Sequence, residues 1–173
     1  MKAVQYDRFG GPDVLRYLDL PDPRPGPGEL LIKTAAIGVN FPDIRERRGV
    51  YNKAETRVGG VQLPQVGGIA VAGTVVEIGP GASGDLVGRR VVALMKKGAY
   101  AELANAAEAL CAVVDDDADL TVLAGFAAQA ACAHLLLQAS TTLCPGEALL
   151  VHGAAAGSVA SRSKSARRWA PRR

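Results

Sequence analysis

The sequence changes its pattern at three consecutive aspartates, residues 115–117, and this change limits what the chain can fold into. Before it, short stretches rich in valine, isoleucine and leucine end at glycine or proline, which predicts β-strands joined by turns. After it, residues 118–139 are almost entirely apolar and predict one long helix with acidic residues at its N-terminal side. Residues 148–152 predict a buried strand. The order predicts an α+β chain, in which a mainly β domain precedes the first helix and strand of an α/β domain.

The first part of the chain predicts many short strands, which favours a compact, barrel-like β domain. The predicted strands cover residues 2–6, 15–20, 29–38, 69–78, 86–94, 98–103 and 109–114. Residues 40–48 predict a short charged helix, with Asn40 as its N-cap and Pro42 early in its first turn. Residues 50–67 predict an irregular polar loop.

Cysteine usage and the N-terminal sequence favour a cytoplasmic protein. The three cysteines, Cys111, Cys132 and Cys144, are widely spaced and form no Cys-x-x-Cys pair, which argues against a disulfide scaffold and a structural zinc site. The first residues lack the apolar block of a signal peptide. Residues 118–139 are apolar enough for a membrane span, but their glutamine and histidine side chains would be costly in lipid. We therefore predict a packed helix and no membrane partner.

The basic charge of the chain is concentrated in its last twelve residues. Residues 162–173 hold six lysines and arginines and no acid, so the preceding part carries fourteen basic and seventeen acidic residues. Such a tail is able to bind nucleic acid or an anionic membrane. Because the rest of the chain offers no nucleic-acid motif, we predict no nucleic-acid partner and a disordered tail.

A loop of small residues follows the predicted strand at residues 148–152. Gly153, Ala154, Ala155 and Gly157 would let backbone N–H groups approach the pyrophosphate of a dinucleotide. The same composition occurs in ordinary turns, so the loop alone is a weak signal.

Several stretches together resemble the zinc-independent quinone oxidoreductase branch of the medium-chain dehydrogenase/reductase superfamily. They are MKAVQYDRFGGPDVL, PRPGPGELLIKTAAIGVNFPDIRERRGVY, VAGTVVEIGPG, VGRRVVAL, GAYAELA and PGEALLVHGAA. The resemblance implies a GroES-like catalytic domain over residues 1–117 and the incomplete start of an NADP-binding Rossmann domain over residues 118–157. Residues 158–173 match nothing in the family. The implied cofactor is NADPH, and the implied substrate is a quinone or enone.

The same resemblance implies that no zinc is used. Zinc-dependent members of the superfamily place cysteine where Asn40 stands, histidine where Ile69 stands and glutamate where Ala70 stands. Without thiolate and imidazole, a catalytic Zn²⁺ has nothing to hold it. A quinone tolerates this loss, because hydride addition yields an aromatic hydroquinone and neutral donors at the carbonyl suffice.

The resemblance also assigns candidate site residues. Asn40 and Tyr51 are the expected catalytic donors, and Asn40 also faces the nicotinamide. Cys132 stands where the family has a threonine beneath the nicotinamide, and Gly153, Ala154, Ala155 and Gly157 form the expected phosphate loop. The alternatives are that Asn40 is only an N-cap and that Tyr51 is a surface aromatic. Asp43 belongs to the same pattern but is expected to be a solvated helix carboxylate.

The last residues suggest a history for the chain. Mixtures of arginine, serine, alanine and proline are typical of GC-rich coding DNA read in a shifted frame. We therefore expect a truncated, inactive form of an oxidoreductase about twice this length. The alternative is a non-catalytic GroES-like remnant or interaction module. Uncovered apolar surface on the helix and strand would favour a homodimer or aggregation.

Overall fold

The computed structural model describes residues 1–52 and 61–138, so the predicted strand at 148–152, the loop at 153–157 and the tail lie outside the described residues. Within these ranges the chain forms eight strands and two α-helices. They are β1 (Lys2–Tyr6), β2 (Arg16–Asp19), β3 (Glu29–Gly38), α1 (Phe41–Arg47), β4 (Gln65–Val66), β5 (Ala70–Ile78), β6 (Arg90–Leu94), β7 (Leu103–Ala107), β8 (Cys111–Val113) and α2 (Leu120–Gln138). The predicted combination of a β domain with helices is confirmed.

A five-stranded antiparallel sheet in the order β7-β3-β5-β6-β8 contains the core of the β domain. Apart from Leu30, its core residues are alanine or β-branched, which suits a pleated surface and makes up for the low aromatic content. The fully buried members of the core with the largest side chains are Leu30, Ile32, Val71, Val75 and Val91.

A three-stranded antiparallel sheet in the order β2-β1-β4 joins the first through the segment before β7. Ala3 of β1 forms a β-bridge with Ala101, and the Val4 N–H donates to the Tyr100 carbonyl at 2.8 Å. These contacts bring residues near 100 beside the N-terminal strand.

Most predicted elements are confirmed, and the differences lie where the chain changes direction. The bounds of β1 and β3 match the predictions, and α1 begins directly after Asn40. The strand predicted at 98–103 is wrong, since this segment crosses between the two sheets and β7 begins only at Leu103. The predicted loop at 50–67 contains a 3-10 turn, Val50–Asn52, and the short β4.

Two further strands begin later than predicted, each after a 3-10 turn. Gly84–Leu86 is a 3-10 turn, so β6 begins only at Arg90. Glu108–Leu110 is a 3-10 turn as well, which leaves Cys111–Val113 as β8.

Arg90 fixes the connection between the β domain and α2. Its guanidinium donates to the carbonyls of Asp115, at 3.0 Å, of Asp116, and of Ala118, at 2.8 Å. The Asp119 carboxylate then accepts from the N–H groups of Thr121 and Val122, which caps the start of α2.

Helix α2 is mostly apolar, with Thr121, Gln129, His134 and Gln138 as its polar residues. Its window Leu120–Leu137 has a mean hydropathy of 1.8 and is long and apolar enough to cross a membrane, with 11% of the window buried. Length and composition are weak evidence for a membrane span, since the core helix of a soluble protein meets the same criteria.

The chain divides into two compact units, Met1–Gly125 and Phe126–Arg173. The domain boundaries at 117 and 157 stay predictions.

Candidate active site

Asn40 lies buried between the end of β3 and the start of α1. It is 4% exposed and has extended backbone angles, φ −115° and ψ 153°, as an N-cap residue requires. Its side-chain amide donates to the Gly38 carbonyl at 3.0 Å. The predicted N-cap position is therefore confirmed, and the hydrogen bond to Gly38 orients the amide at the strand end.

Asp43 orients this N-cap from the first turn of α1. Its Oδ2 accepts from the Asn40 N–H at 2.8 Å, the reach-back contact of a capping box. The same oxygen accepts from the Tyr100 hydroxyl at 2.8 Å. Asp43 is half-buried, and its Oδ1 is inaccessible to solvent. The expectation of a solvated carboxylate is therefore wrong, because the segment near Tyr100 covers this side of the helix.

The electrostatics of this pair follow from burial. Desolvation raises the pKa of Asp43 above 3.8, and the hydrogen bonds from Asn40 and Tyr100 offset only part of this effect. Desolvation also raises the pKa of Tyr100, and the hydrogen bond to Asp43 raises it further. Tyr100 is therefore a phenol donor at neutral pH.

A buried polar network joins α1 to the small sheet. The Gln65 side-chain amide on β4 donates to Tyr6 Oη on β1 at 2.8 Å and to Glu46 Oε1 on α1. Gln65 and Glu46 are 5% and 8% exposed, so these contacts replace hydration that burial removes. The C-terminal half of α1 is thereby held against β1 and β4.

Tyr51 follows the end of α1, whereas Asn40 precedes its start. The Arg45 guanidinium lies 5.4 Å from the centroid of the Tyr51 ring and 5.8 Å from that of Phe41. Both distances suit cation–π contacts. Tyr51 is half-buried in this arrangement. Its ring is therefore more restrained than that of a fully exposed loop aromatic.

The start of α2 passes directly over the end of β3, next to Asn40. A Cβ on Gly38 would lie 2.2 Å from the Ala124 carbonyl oxygen and 3.1 Å from Ala70 Cβ. Gly38 is therefore required for this close approach of backbones.

The expected cofactor residues are only partly described. Cys132 lies on α2 with an exposed side chain, whereas Gly153, Ala154, Ala155 and Gly157 fall outside the described residues. In residues 1–52 and 61–138 no three or more histidine, cysteine, aspartate or glutamate side chains form a metal-binding group. An amide at Asn40 and aliphatic side chains at Ile69 and Ala70 do not fit Zn²⁺, which prefers thiolate, imidazole or carboxylate. The absence of zinc stays a prediction.

Three residues packed around α1 were not singled out by the sequence. Tyr100 binds Asp43, Gln65 bridges α1 and β1, and Arg47 is 8% exposed on the inner face of α1. Their partners are distant in sequence, and such contacts leave no periodic pattern. The only local hint was the position of Tyr100 shortly after Gly98.

The raised pKa of Asp43 predicts how stability depends on pH. Because the folded-state pKa exceeds the unfolded value, Asp43 favours folding below pH 3.8, and this contribution is lost as pH rises through the folded-state pKa. The unfolding free energy of the wild type minus that of Asp43→Asn should therefore fall from acidic to neutral pH. Urea denaturation at several pH values measures it, with the exposed Asp85→Asn as the control for net charge. A difference that grows with pH would contradict the prediction.

Comparison with known proteins places the chain in one family. The alcohol dehydrogenase GroES-like domain family matches residues 26–160. The chain is 34% identical over 157 residues to a quinone oxidoreductase of Pseudomonas aeruginosa, covering 90% of this chain and 46% of the relative. It is 38% identical over 160 residues to a 2-haloacrylate reductase of a Burkholderia species, covering 91% and 46%. The chain thus spans about half the length of the curated relatives it matches.

Solved structures agree with this placement. A mycobacterial quinone oxidoreductase has a TM-score of 0.87 and 40% identity, covering 98% of this chain and 50% of that one. A mycobacterial protein in complex with NADPH has a TM-score of 0.84 and 39% identity, with the same coverage. The chain therefore belongs to the alcohol dehydrogenase GroES-like domain family, in the quinone oxidoreductase branch of the medium-chain dehydrogenase/reductase superfamily.

Proposed function

We propose that this chain supplies the substrate-side domain of an NADPH-dependent oxidoreductase that transfers hydride to a quinone or enone without zinc. The similarity to a quinone oxidoreductase, a 2-haloacrylate reductase and a protein that binds NADPH supports this reaction class. The observation that carries the proposal is the buried Asn40 amide, held at the end of β3 where zinc-dependent relatives would place a metal-binding cysteine.

Asn40 and Tyr51 are the proposed donors to the substrate oxygen. A primary amide and a phenol donate hydrogen bonds without changing protonation state, so they favour negative charge that develops on the oxygen as hydride arrives. The Asp43 contact to the Asn40 backbone reduces the freedom of the amide, which lowers the cost of positioning it in the transition state. Arg45 restrains Tyr51 through its cation–π contact.

The residues proposed to bind NADPH include Asn40 and residues beyond the β domain. When bound, NADPH supplies the hydride, and a proton from solvent completes the reduction of the quinone or enone. Asn40 and Cys132 are proposed to lie at the nicotinamide, and Gly153, Ala154, Ala155 and Gly157 at the pyrophosphate. A thiol is a weaker donor than the threonine hydroxyl that the family resemblance implies at Cys132.

The 173-residue chain by itself is proposed to be inactive. It spans 46% of the quinone oxidoreductase that it resembles, and a dinucleotide site of the Rossmann type is built from several parallel strands and their helices. A cytoplasmic location, a small-molecule substrate and a homodimer are part of the same proposal. A non-catalytic role for the domain is the alternative that the activity test addresses.

A chimera tests the proposed function. Residues 1–117 would replace the matching part of the Pseudomonas aeruginosa quinone oxidoreductase, and NADPH oxidation would be followed with 1,4-benzoquinone. We expect turnover from the chimera and little or none from the 173-residue chain. A folded chimera that binds NADPH but does not reduce the quinone would contradict the proposal, and robust turnover by the chain alone would contradict its inactivity.

The role of Asn40 is tested in the same chimera. Asn40→Ala should lower kcat/KM about tenfold, the effect of losing one neutral hydrogen bond in the transition state. Asn105→Ala is the matched control. Asn105 lies on β7, away from Asn40, and its side-chain amide also donates to a backbone carbonyl, that of Arg24. Equal activity of the Asn40→Ala and Asn105→Ala chimeras would contradict the assignment.

A further inference from the structure

Tyr100 is fixed both at its backbone and at its ring. Its N–H donates to the Gly67 carbonyl at 2.9 Å, and its carbonyl accepts from the Val4 N–H at 2.8 Å. The ring lies against Gly67 and Gly68, where an added Cβ would lie 3.3 Å and 2.4 Å from ring carbons. Glycine at these two positions therefore lets the ring pack directly on the backbone.

The hydroxyl of Tyr100 binds the residue that caps α1. It donates to Asp43 Oδ2 at 2.8 Å, and the same oxygen accepts from the Asn40 N–H at 2.8 Å. The Asp43 N–H donates in turn to the Asn40 carbonyl at 3.1 Å. A single carboxylate oxygen thus links the segment before β7 to the residue that follows β3.

The strength of this link depends on the charge of Asp43. Desolvation raises the pKa of Asp43, and charge repulsion from Glu46 adds to this effect. The hydrogen bonds from Asn40 and Tyr100 lower the same pKa, because they favour the ionised carboxylate. Loss of the Tyr100 hydroxyl should therefore raise the pKa of Asp43 and weaken its bond to the Asn40 N–H. Besides Tyr100, the titratable side chains near Asp43 are those of Tyr6, Glu46 and Arg47.

We infer that Tyr100 is a positioning residue, whose hydroxyl fixes Asp43 so that Asp43 in turn fixes Asn40 for its contact with the substrate oxygen. Tyr100 acts through Asp43 rather than on the substrate, since its one hydroxyl proton is donated to that carboxylate. A donor that is already oriented costs less to place in the transition state. The inference rests on the proposed function of Asn40 and adds a residue 60 positions further along the chain.

The first test uses the 173-residue chain and needs neither NADPH nor turnover. Tyr100→Phe keeps the ring but removes the hydroxyl that donates to Asp43. We expect the backbone N–H and side-chain NH₂ signals of Asn40 to shift in the ¹H–¹⁵N NMR spectrum. The pKa of Asp43, followed by ¹³C NMR of its carboxyl group, should rise relative to the wild type.

Tyr6→Phe is the matched control for this comparison. It also removes one tyrosine hydroxyl, but that hydroxyl accepts from the buried Gln65 amide, and the variant should change neither the Asn40 signals nor the pKa of Asp43. Equal responses of Asn40 to the two variants, or an Asp43 pKa that does not rise in Tyr100→Phe, would overturn the inference. Where Tyr100→Phe does not fold, the wild type decides, because the Asp43 carboxyl, the Asn40 N–H and the Tyr100 ring should share one titration midpoint. Separate midpoints would overturn the inference.

The second test uses the chimera and separates positioning from a merely structural role. Tyr100→Phe should lower kcat about fivefold and change KM less than about twofold, because the substrate still binds but meets a less well oriented donor. In a chimera that already carries Asn40→Ala, Tyr100→Phe should have no further effect on kcat. The same loss in both backgrounds would overturn the inference. A chimera without turnover, or one that Asn40→Ala leaves unchanged, would contradict the proposed function instead, and the NMR comparison would still decide the inference.

Discussion

Replacing Ile32 with alanine should lower the free energy of unfolding by about 3 kcal/mol. Ile32 is 0% exposed in the middle of β3, paired with Val75 of β5 on one side and Ala104 of β7 on the other. The shortened side chain leaves a cavity among Leu30, Val71 and Val91 that neighbouring strands cannot close without breaking ladder hydrogen bonds.

The same strand offers a matched control for this change. Ile37 lies five residues further along β3 but is 39% exposed, so Ile37→Ala should cost less than about 1 kcal/mol. Urea denaturation followed by circular dichroism gives both values. Similar losses for the two variants would show that the sheet core is not centred on Ile32.

Replacing Gly38 with alanine should destabilise the chain by about 2–3 kcal/mol. The added methyl group would lie 2.2 Å from the Ala124 carbonyl oxygen, a backbone atom that cannot rotate away. The end of β3 and the start of α2 must then move apart, and any shift of β3 at Gly38 reaches Asn40 because the Asn40 amide donates to the Gly38 carbonyl. The substitution should therefore perturb both stability and the candidate active site.

Gly125 is the matched control for Gly38. It lies in α2 one residue beyond Ala124, and a Cβ there meets nothing within 4 Å. Gly125→Ala should stabilise the chain by about 0.5–1 kcal/mol through helix propensity. Thermal and urea unfolding of the two variants should shift in opposite directions, and destabilisation of equal size in both would contradict the close approach at Gly38.

Local pattern predicted much of the fold because the responsible interactions are short in range. The apolar run of β3 and the pair of Asn40 as N-cap and Pro42 in the first turn of α1 are signals within a few residues, and both elements form as predicted. The strand predicted at residues 98–103 does not form, because Gly98 has φ +98° and the chain there crosses from one sheet to the other.

The sequence by itself determined the family, most of the strands and helices and the N-cap position of Asn40, since these depend on periodicity, capping and recognisable motifs. Only the tertiary structure decided what surrounds Asn40. Tyr100 reaches Asp43 across 57 residues, Gln65 reaches Tyr6 across 59, and Ala124 closes over Gly38. The partners in such contacts are chosen by chain topology and the burial it imposes, and burial also raises the pKa of Asp43.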